Sequence, residues 1–189
     1  MINLGRKVKL RLLAIPTLMF LLVGQASSDQ HAEFLDLLEY EVNNREFGYL
    51  GAKAMVERGD NDDIANFWQA FLALELQHRE AYKNIAQKYG LSANVTVAKV
   101  KVRLSVLSTA LFPQWMADNM AEATPAYVKK LERLLSLAPP EDHEFLSYVV
   151  AQEKAQARAF IYLARAEIDL ATNALEMFVA GNLDKVKRF

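Results

Sequence analysis

Two long helical periodicities joined by a very short stop constrain this chain more than any other feature. Phe34, Leu37, Leu38, Glu41, Arg45, Gly48, Ala52 and Met55 recur at helical spacing, and Arg58-Gly59-Asp60 ends the run. Asp62 or Asp63 then supplies a cap, and Ile64, Phe67, Phe71, Glu75, His78, Tyr82, Ile85 and Tyr89 form a second stripe that Gly90 closes. So short a connection predicts two antiparallel helices, A over about 29–58 and B up to Tyr89, packed as in a bundle. Composition agrees, because 27 Leu and 27 Ala against seven Gly and five Pro in 189 residues favour helix over a turn-rich β fold. The predicted class is all-α.

The stretch 91–113 reads two ways. Val95, Val97, Val100, Val102 and Leu104 suit a strand with Lys99, Lys101 and Arg103 on its other face, whereas Val97, Val100, Leu104, Leu107 and Leu111 suit an amphipathic helix. In so helix-rich a chain a crossover helix is preferred, with Pro113 starting the next element. Helix C is expected over about 114–137, interrupted near Thr124-Pro125 and ended by Pro139-Pro140. Helix D begins near Glu141. Unbroken to residue 180 it would be about 60 Å long, far more than its neighbours can cover. A break near Asp169–Thr172 and a short fifth helix up to Gly181 are therefore predicted.

Residues 1–26 differ from the body. Arg6, Lys7, Lys9 and Arg11 precede the apolar run Leu12–Val23, and Gly24-Gln25-Ala26 closes it with small residues. This is the pattern of a secretory signal peptide, with Ser27 starting the mature chain. The alternatives are an uncleaved anchor through residues 10–26 and a buried cytosolic helix. The first two place the body, residues 27–189, outside the cytoplasm, periplasmic or otherwise exported, or held at the membrane by its N-terminal helix. The body carries 18 basic and 23 acidic side chains, a net charge of −5. Without a basic block it is not expected to bind nucleic acid. A membrane contact through residues 10–26, if they are retained, and a second copy of the chain are the partners expected. No cysteine is present, so any metal must be held by oxygen and nitrogen. No G-x-S-x-G elbow points to nucleophilic hydrolysis.

Carboxylates inside apolar stripes are the chemical signal. Glu75-Leu76-Gln77-His78 places a carboxylate and an imidazole on one helix face between Phe71 and Tyr82, where an unpaired charge is costly to desolvate. Glu41 holds the matching place on helix A, 18 residues before Gly59 where Glu75 lies 16 after it. That offset is only about 3 Å along antiparallel axes. Glu153 follows Val149 and Val150 and precedes Phe160, 14 residues beyond Pro139. Its partner on helix C should lie at similar depth before Pro139, and Glu122 is the better candidate than Asp118. Each residue also has a plainer use. Glu41 can pair with Arg45 one turn on, Glu75 and His78 can hydrogen-bond between helices, Glu122 can be an early-helix or loop carboxylate, and Glu153 can meet Arg158 or Arg165.

Together Glu41, Glu75-x-x-His78, Glu122 and Glu153 resemble the di-iron carboxylate pattern of the ferritin-like superfamily, rubrerythrin-like proteins included. The resemblance spans roughly residues 30–168. It implies a ferritin-like four-helix bundle with a crossover helix and a short C-terminal helix. It also implies iron as cofactor, one or two ions, and redox chemistry with O2 or peroxide by a non-haem oxidoreductase. Glu41 and Glu153 would be terminal ligands, Glu75 and Glu122 bridging ligands and His78 a terminal nitrogen donor. Gln156 stands where the second E-x-x-H would place its histidine, so the pattern is incomplete. The alternative is a metal-free bundle of the same fold, structural or partner-binding, whose buried Glu and His form a polar network.

Overall fold

The computed structural model describes the backbone of residues 15–59 and 62–189, and the side chains of residues 28–59 and 64–189. The signal-peptide or anchor segment and its cleavage point lie outside the described side chains. The chain is all-α, with no strand among the described residues. Its helices are α1 (Ile15–Arg58), α2 (Asp62–Gln77), α3 (Arg79–Lys88), α4 (Val95–Leu111), α5 (Pro113–Leu137), α6 (His143–Ala164) and α7 (Ile168–Val186). A turn of 3-10 helix, Pro140–Asp142, leads into α6. None of the described helices is long and apolar enough to cross a membrane.

Turn chemistry sets most boundaries. Gly59 (φ 68°) follows α1 and Gly90 (φ 66°) follows α3, both in the left-handed region that glycine enters without steric cost. At Gly90 the N–H bonds the Gln87 carbonyl and Leu91 N–H bonds that of Ala86, the paired bonds of a Schellman ending. Helix B is not continuous, however: α2 gives way to α3 at His78, whose carbonyl still accepts from Tyr82 N–H at 3.1 Å.

α1 packs against α2, α4 and α5; α6 packs between α5 and α7, and α7 returns over α2. The interior holds two apolar clusters. Phe34, Leu38, Tyr82, Ile85, Leu131, Leu134, Phe145 and Val149 fill one end. Ala52, Phe67, Phe71, Leu74, Ala159, Phe160 and Leu175 fill the other. Between them α1, α2 and α6 bury Glu41, Arg45, Glu75, His78, Gln152, Glu153 and Gln156.

Three expectations are corrected. Helix C is not interrupted at Thr124-Pro125: α5 runs through Pro125. The proline removes one backbone bond, but Thr124 Oγ1 donates to the Met120 carbonyl, and Ala117, Thr124, Val128, Leu131 and Leu134 hold a buried face across the site. The break after helix D falls at Arg165–Glu167 rather than Asp169–Thr172, and α7 continues past Gly181 to Val186. Ala166 N–H bonds the Leu163 carbonyl and Glu167 N–H bonds that of Tyr162, both at 3.0 Å. This is again a Schellman ending, with Ala166 rather than glycine at φ 59°.

The crossover is helical as preferred, but with the opposite face inward. Ala98 and Val102 are buried against α1, while Val97, Val100, Leu104, Leu107 and Leu111 are exposed. Hydrogen bonds at both ends fix this rotation. Asn94 N–H donates to Asn43 Oδ1 at 2.8 Å, Asn94 Oδ1 accepts from Val97 N–H at 3.1 Å, and Arg58 reaches the Val106 carbonyl at 3.5 Å.

Ala166→Gly removes the left-handed penalty of about 1–2 kcal/mol and adds about 0.5–1 kcal/mol of unfolded-state entropy. We expect a rise in Tm of about 2 °C in thermal unfolding. A fall would mean that contacts of the methyl group outweigh the backbone term.

Candidate functional site

The buried polar layer is organised by Arg45. One turn after Glu41 on the inward face of α1, its guanidinium meets carboxylates from three helices. Nη1 donates to Glu75 Oε1 and to Gln156 Oε1, each at 3.1 Å, and Nη2 donates to Glu153 Oε2 at 2.8 Å. Nε lies 3.0 Å from Glu41 Oε1, a charge contact whose angle is not that of a hydrogen bond. Gln156 Nε2 donates to Glu75 Oε1 at 2.8 Å. Tyr82 donates to Glu41 Oε1 at 2.5 Å, and the Tyr127 phenol donates to Glu41 Oε2. His78 Nε2 lies 3.2 Å from Glu75 Oε2.

Of the five residues expected to meet, Glu41, Glu75, His78 and Glu153 are brought together. Glu122 is not: it lies exposed on α5. Tyr127 fills its place at the layer, 12 residues before Pro139 and so at the depth expected of a helix C partner. Glu153 meets neither Arg158 nor Arg165 but Arg45, 108 residues away in sequence. The Glu41–Arg45 pairing is present as one arm of a larger set. Arg45 itself stood on the predicted inward stripe, and a cation one turn from an inward carboxylate was the available signal for its role.

Electrostatics divide the carboxylates. Burial pushes Glu41 up to about 7 against the pull of Arg45 and the Tyr82 hydroxyl. Burial likewise raises Glu153. Glu75 is also buried, but Arg45, His78 and Gln156 together outweigh desolvation and hold it below the ordinary carboxylate value. Desolvation lowers His78 and keeps it neutral, so Nε2–H donates to Glu75 and Nδ1 is left without a protein partner. Burial works against the Arg45 charge, yet the three carboxylates hold it above its usual value. Proton affinity is thus shared across a coupled set of one guanidinium and three carboxylates.

The layer is not sealed. A cavity of about 280 Å³ between α1 and α2–α3 reaches Arg45, Glu75 and His78. Another of about 300 Å³ between α1, α5 and α6 reaches Arg45, Glu75, Glu153 and Gln156. Gly48 lets Glu75 approach α1, since a Cβ there would stand 3.3 Å from Glu75 Oε1.

The donor set is that of a metal centre, but its arrangement does not fit one. The oxygens of Glu41, Glu75 and Glu153 are turned onto Arg45 and two phenols, and no group of three or more His, Asp or Glu poised for a metal occurs among the described residues. A divalent ion about 4 Å from the guanidinium would meet roughly 8 kcal/mol of repulsion at an effective dielectric of 20.

Removal of the central cation has a distinctive expected signature. Arg45→Met leaves three buried carboxylates uncompensated and should lower unfolding free energy by about 3–5 kcal/mol at neutral pH. The deficit should shrink toward pH 5, where the raised Glu41 and Glu153 take up protons. Denaturant titrations at the two pH values check this, and an equal deficit at both would make packing the whole role of Arg45.

Glu41 gives a second test with a worked sign. Its folded value, about 7, exceeds the model value of 4.5, so the folded state binds more protons between them. Its contribution is fully present below 4.5 and is lost as pH rises through 7. The difference in unfolding free energy between the natural protein and Glu41→Gln should therefore fall by roughly 3 kcal/mol across that window. A difference independent of pH would place the Glu41 carboxyl near its ordinary value.

Compared with protein-family models, with characterised proteins and with solved structures, the chain matches none, so its function rests on the chemistry of this layer.

Proposed function

We propose that this protein is a metal-free bundle of the ferritin-like fold, exported from the cytoplasm, that works by binding a partner rather than by catalysis. The order of helices supports the fold. The hairpin of α1 with α2–α3 and the hairpin of α5 with α6 are linked by the crossover α4, and α7 is the additional C-terminal helix. Export is read from the basic and apolar segments of residues 1–26.

The observation that carries the metal-free reading is the guanidinium of Arg45 at the point where Glu41, Glu75 and Glu153 meet. One fixed cation, held by donors from three helices, does for the buried carboxylates what bound metal would do: it lowers the cost of burying them. It offers no open coordination position and no change of oxidation state, so the layer supports folding rather than turnover. Tyr82 and Tyr127 complete the same task by donating to Glu41.

The iron-binding oxidoreductase reading draws on the convergence of Glu41, Glu75, His78 and Glu153 and on the surplus of carboxylates over cations. For iron to enter, Arg45 must leave. Anaerobic Fe(II) titration followed by metal analysis separates the two readings. The natural protein is expected to retain no stoichiometric iron, and Gln156→His to add none while Arg45 stays in place. Arg45→Ala should open at most a weak site. One or two irons per chain in the natural protein would overturn the metal-free reading.

A further inference from the structure

α4 turns an apolar face to solvent, and its surroundings indicate what covers it. Leu104 is 63% exposed and Leu111 61%, with Val97, Val100 and Leu107 beside them on the same face. At about 100° per residue these five side chains share an arc of about 80°. Arg103 stands about 40° beyond one edge of that arc and Lys101 about 40° beyond the other, with Lys99 next to Arg103. Phe112 and Trp115, both exposed, extend the apolar surface to the corner between α4 and α5.

Charge narrows the choice of occupant. The chain has no acidic residue between Glu80 and Asp118, although the body as a whole is acidic. Lys99, Lys101 and Arg103 have no carboxylate partner among the described residues. Elsewhere on this surface cations are paired, as Lys83 is with Glu80, Lys88 with Asp142 and Arg133 with Glu33. An apolar arc with unpaired cations on both flanks and aromatic rings at its end is the composition of a helix that lies in a membrane interface. A helix of 17 residues with three cations does not span a bilayer.

We infer that α4 is a docking face for an anionic phospholipid surface. Val97, Val100, Leu104, Leu107 and Leu111 enter the headgroup and acyl boundary, and Lys99, Lys101 and Arg103 meet lipid phosphates on either side. This names the partner in the partner-binding reading above. It stands on α4 alone, so it does not depend on the state of the Arg45 layer or on residues 10–26.

The test is co-sedimentation of the full-length protein with phosphatidylcholine vesicles, with and without phosphatidylglycerol. Binding is expected only with the anionic lipid and should weaken as salt is raised. At about 1 kcal/mol per cation, K99Q/K101Q/R103Q should bind about a hundredfold more weakly. L104E/L107E should lose binding while keeping the natural Tm, because both positions are exposed. In a Trp68→Phe background, brominated lipid should quench Trp115.

Unchanged binding by both α4 variants would assign the membrane contact to residues 10–26 and overturn the inference. So would equal binding to neutral vesicles, or no binding at all. A dimer in sedimentation equilibrium that L104E/L107E dissolves, without vesicle binding, would assign the face to a second copy and also overturn it. Iron uptake in the experiment above would leave all of these outcomes legible, so the two readings fail separately.

Discussion

A single buried guanidinium determines how the interior can be arranged. Glu41, Glu75 and Glu153 come from three helices, and without Arg45 each would be a charge with no countercharge in a desolvated layer. The geometry of arginine suits the task, because its donors diverge in one plane and reach α2 and α6 from α1 at the same time. A lysine offers one point charge and could not span these acceptors in fixed directions. The arrangement therefore fixes the mutual rotation and depth of α1, α2 and α6, since a slip of one residue on any of them would turn its acceptor away.

That requirement also explains the division of the core. Apolar contacts alone would tolerate sliding of the Phe34–Leu38 end or the Phe67–Phe71 end along its neighbours. A polar layer between them does not, because a misplaced carboxylate loses its partner and keeps its desolvation cost. The layer's own imbalance is settled by protons: with three carboxylates to one guanidinium, burial raises Glu41 and Glu153 while Glu75 stays ionised against Arg45. Register and proton uptake are thus consequences of the same contact set.

Much of this was legible in the sequence, and the failures have physical causes. Helical spacing identified Glu41, Glu75, His78 and Glu153 as inward, and counting from Gly59 and Pro139 gave their common depth, because rise per residue is nearly constant. The identity of the cation was not legible, since an arginine on an inward stripe reads as an i+4 partner until side-chain reach is known. Glu122 was preferred to Tyr127 for its chemistry rather than its depth, and depth proved the better guide. The end of α6 was hidden because Ala166 holds a conformation that usually announces itself with glycine. For α4 the pattern gave the helix correctly and its orientation wrongly, since periodicity identifies an apolar face without saying what will cover it.

α1 joins the two places where side chains depart from the usual sorting of apolar inside and polar outside. Glu41 and Arg45 point into the polar layer, and Asn43 between them accepts the backbone N–H of Asn94 at the start of α4. Nearer its C-terminal end Arg58 reaches the Val106 carbonyl of the same helix. The rotation of α4, and hence the outward presentation of Val97, Val100, Leu104, Leu107 and Leu111, is set by groups on a helix whose own rotation is set by Arg45. The small residues Ala98 and Val102 allow the close approach but, carrying no polar group, could not choose the face by themselves. A buried charge contact on one side of α1 is in this way the structural reason that an apolar, cation-flanked surface is held open on the other.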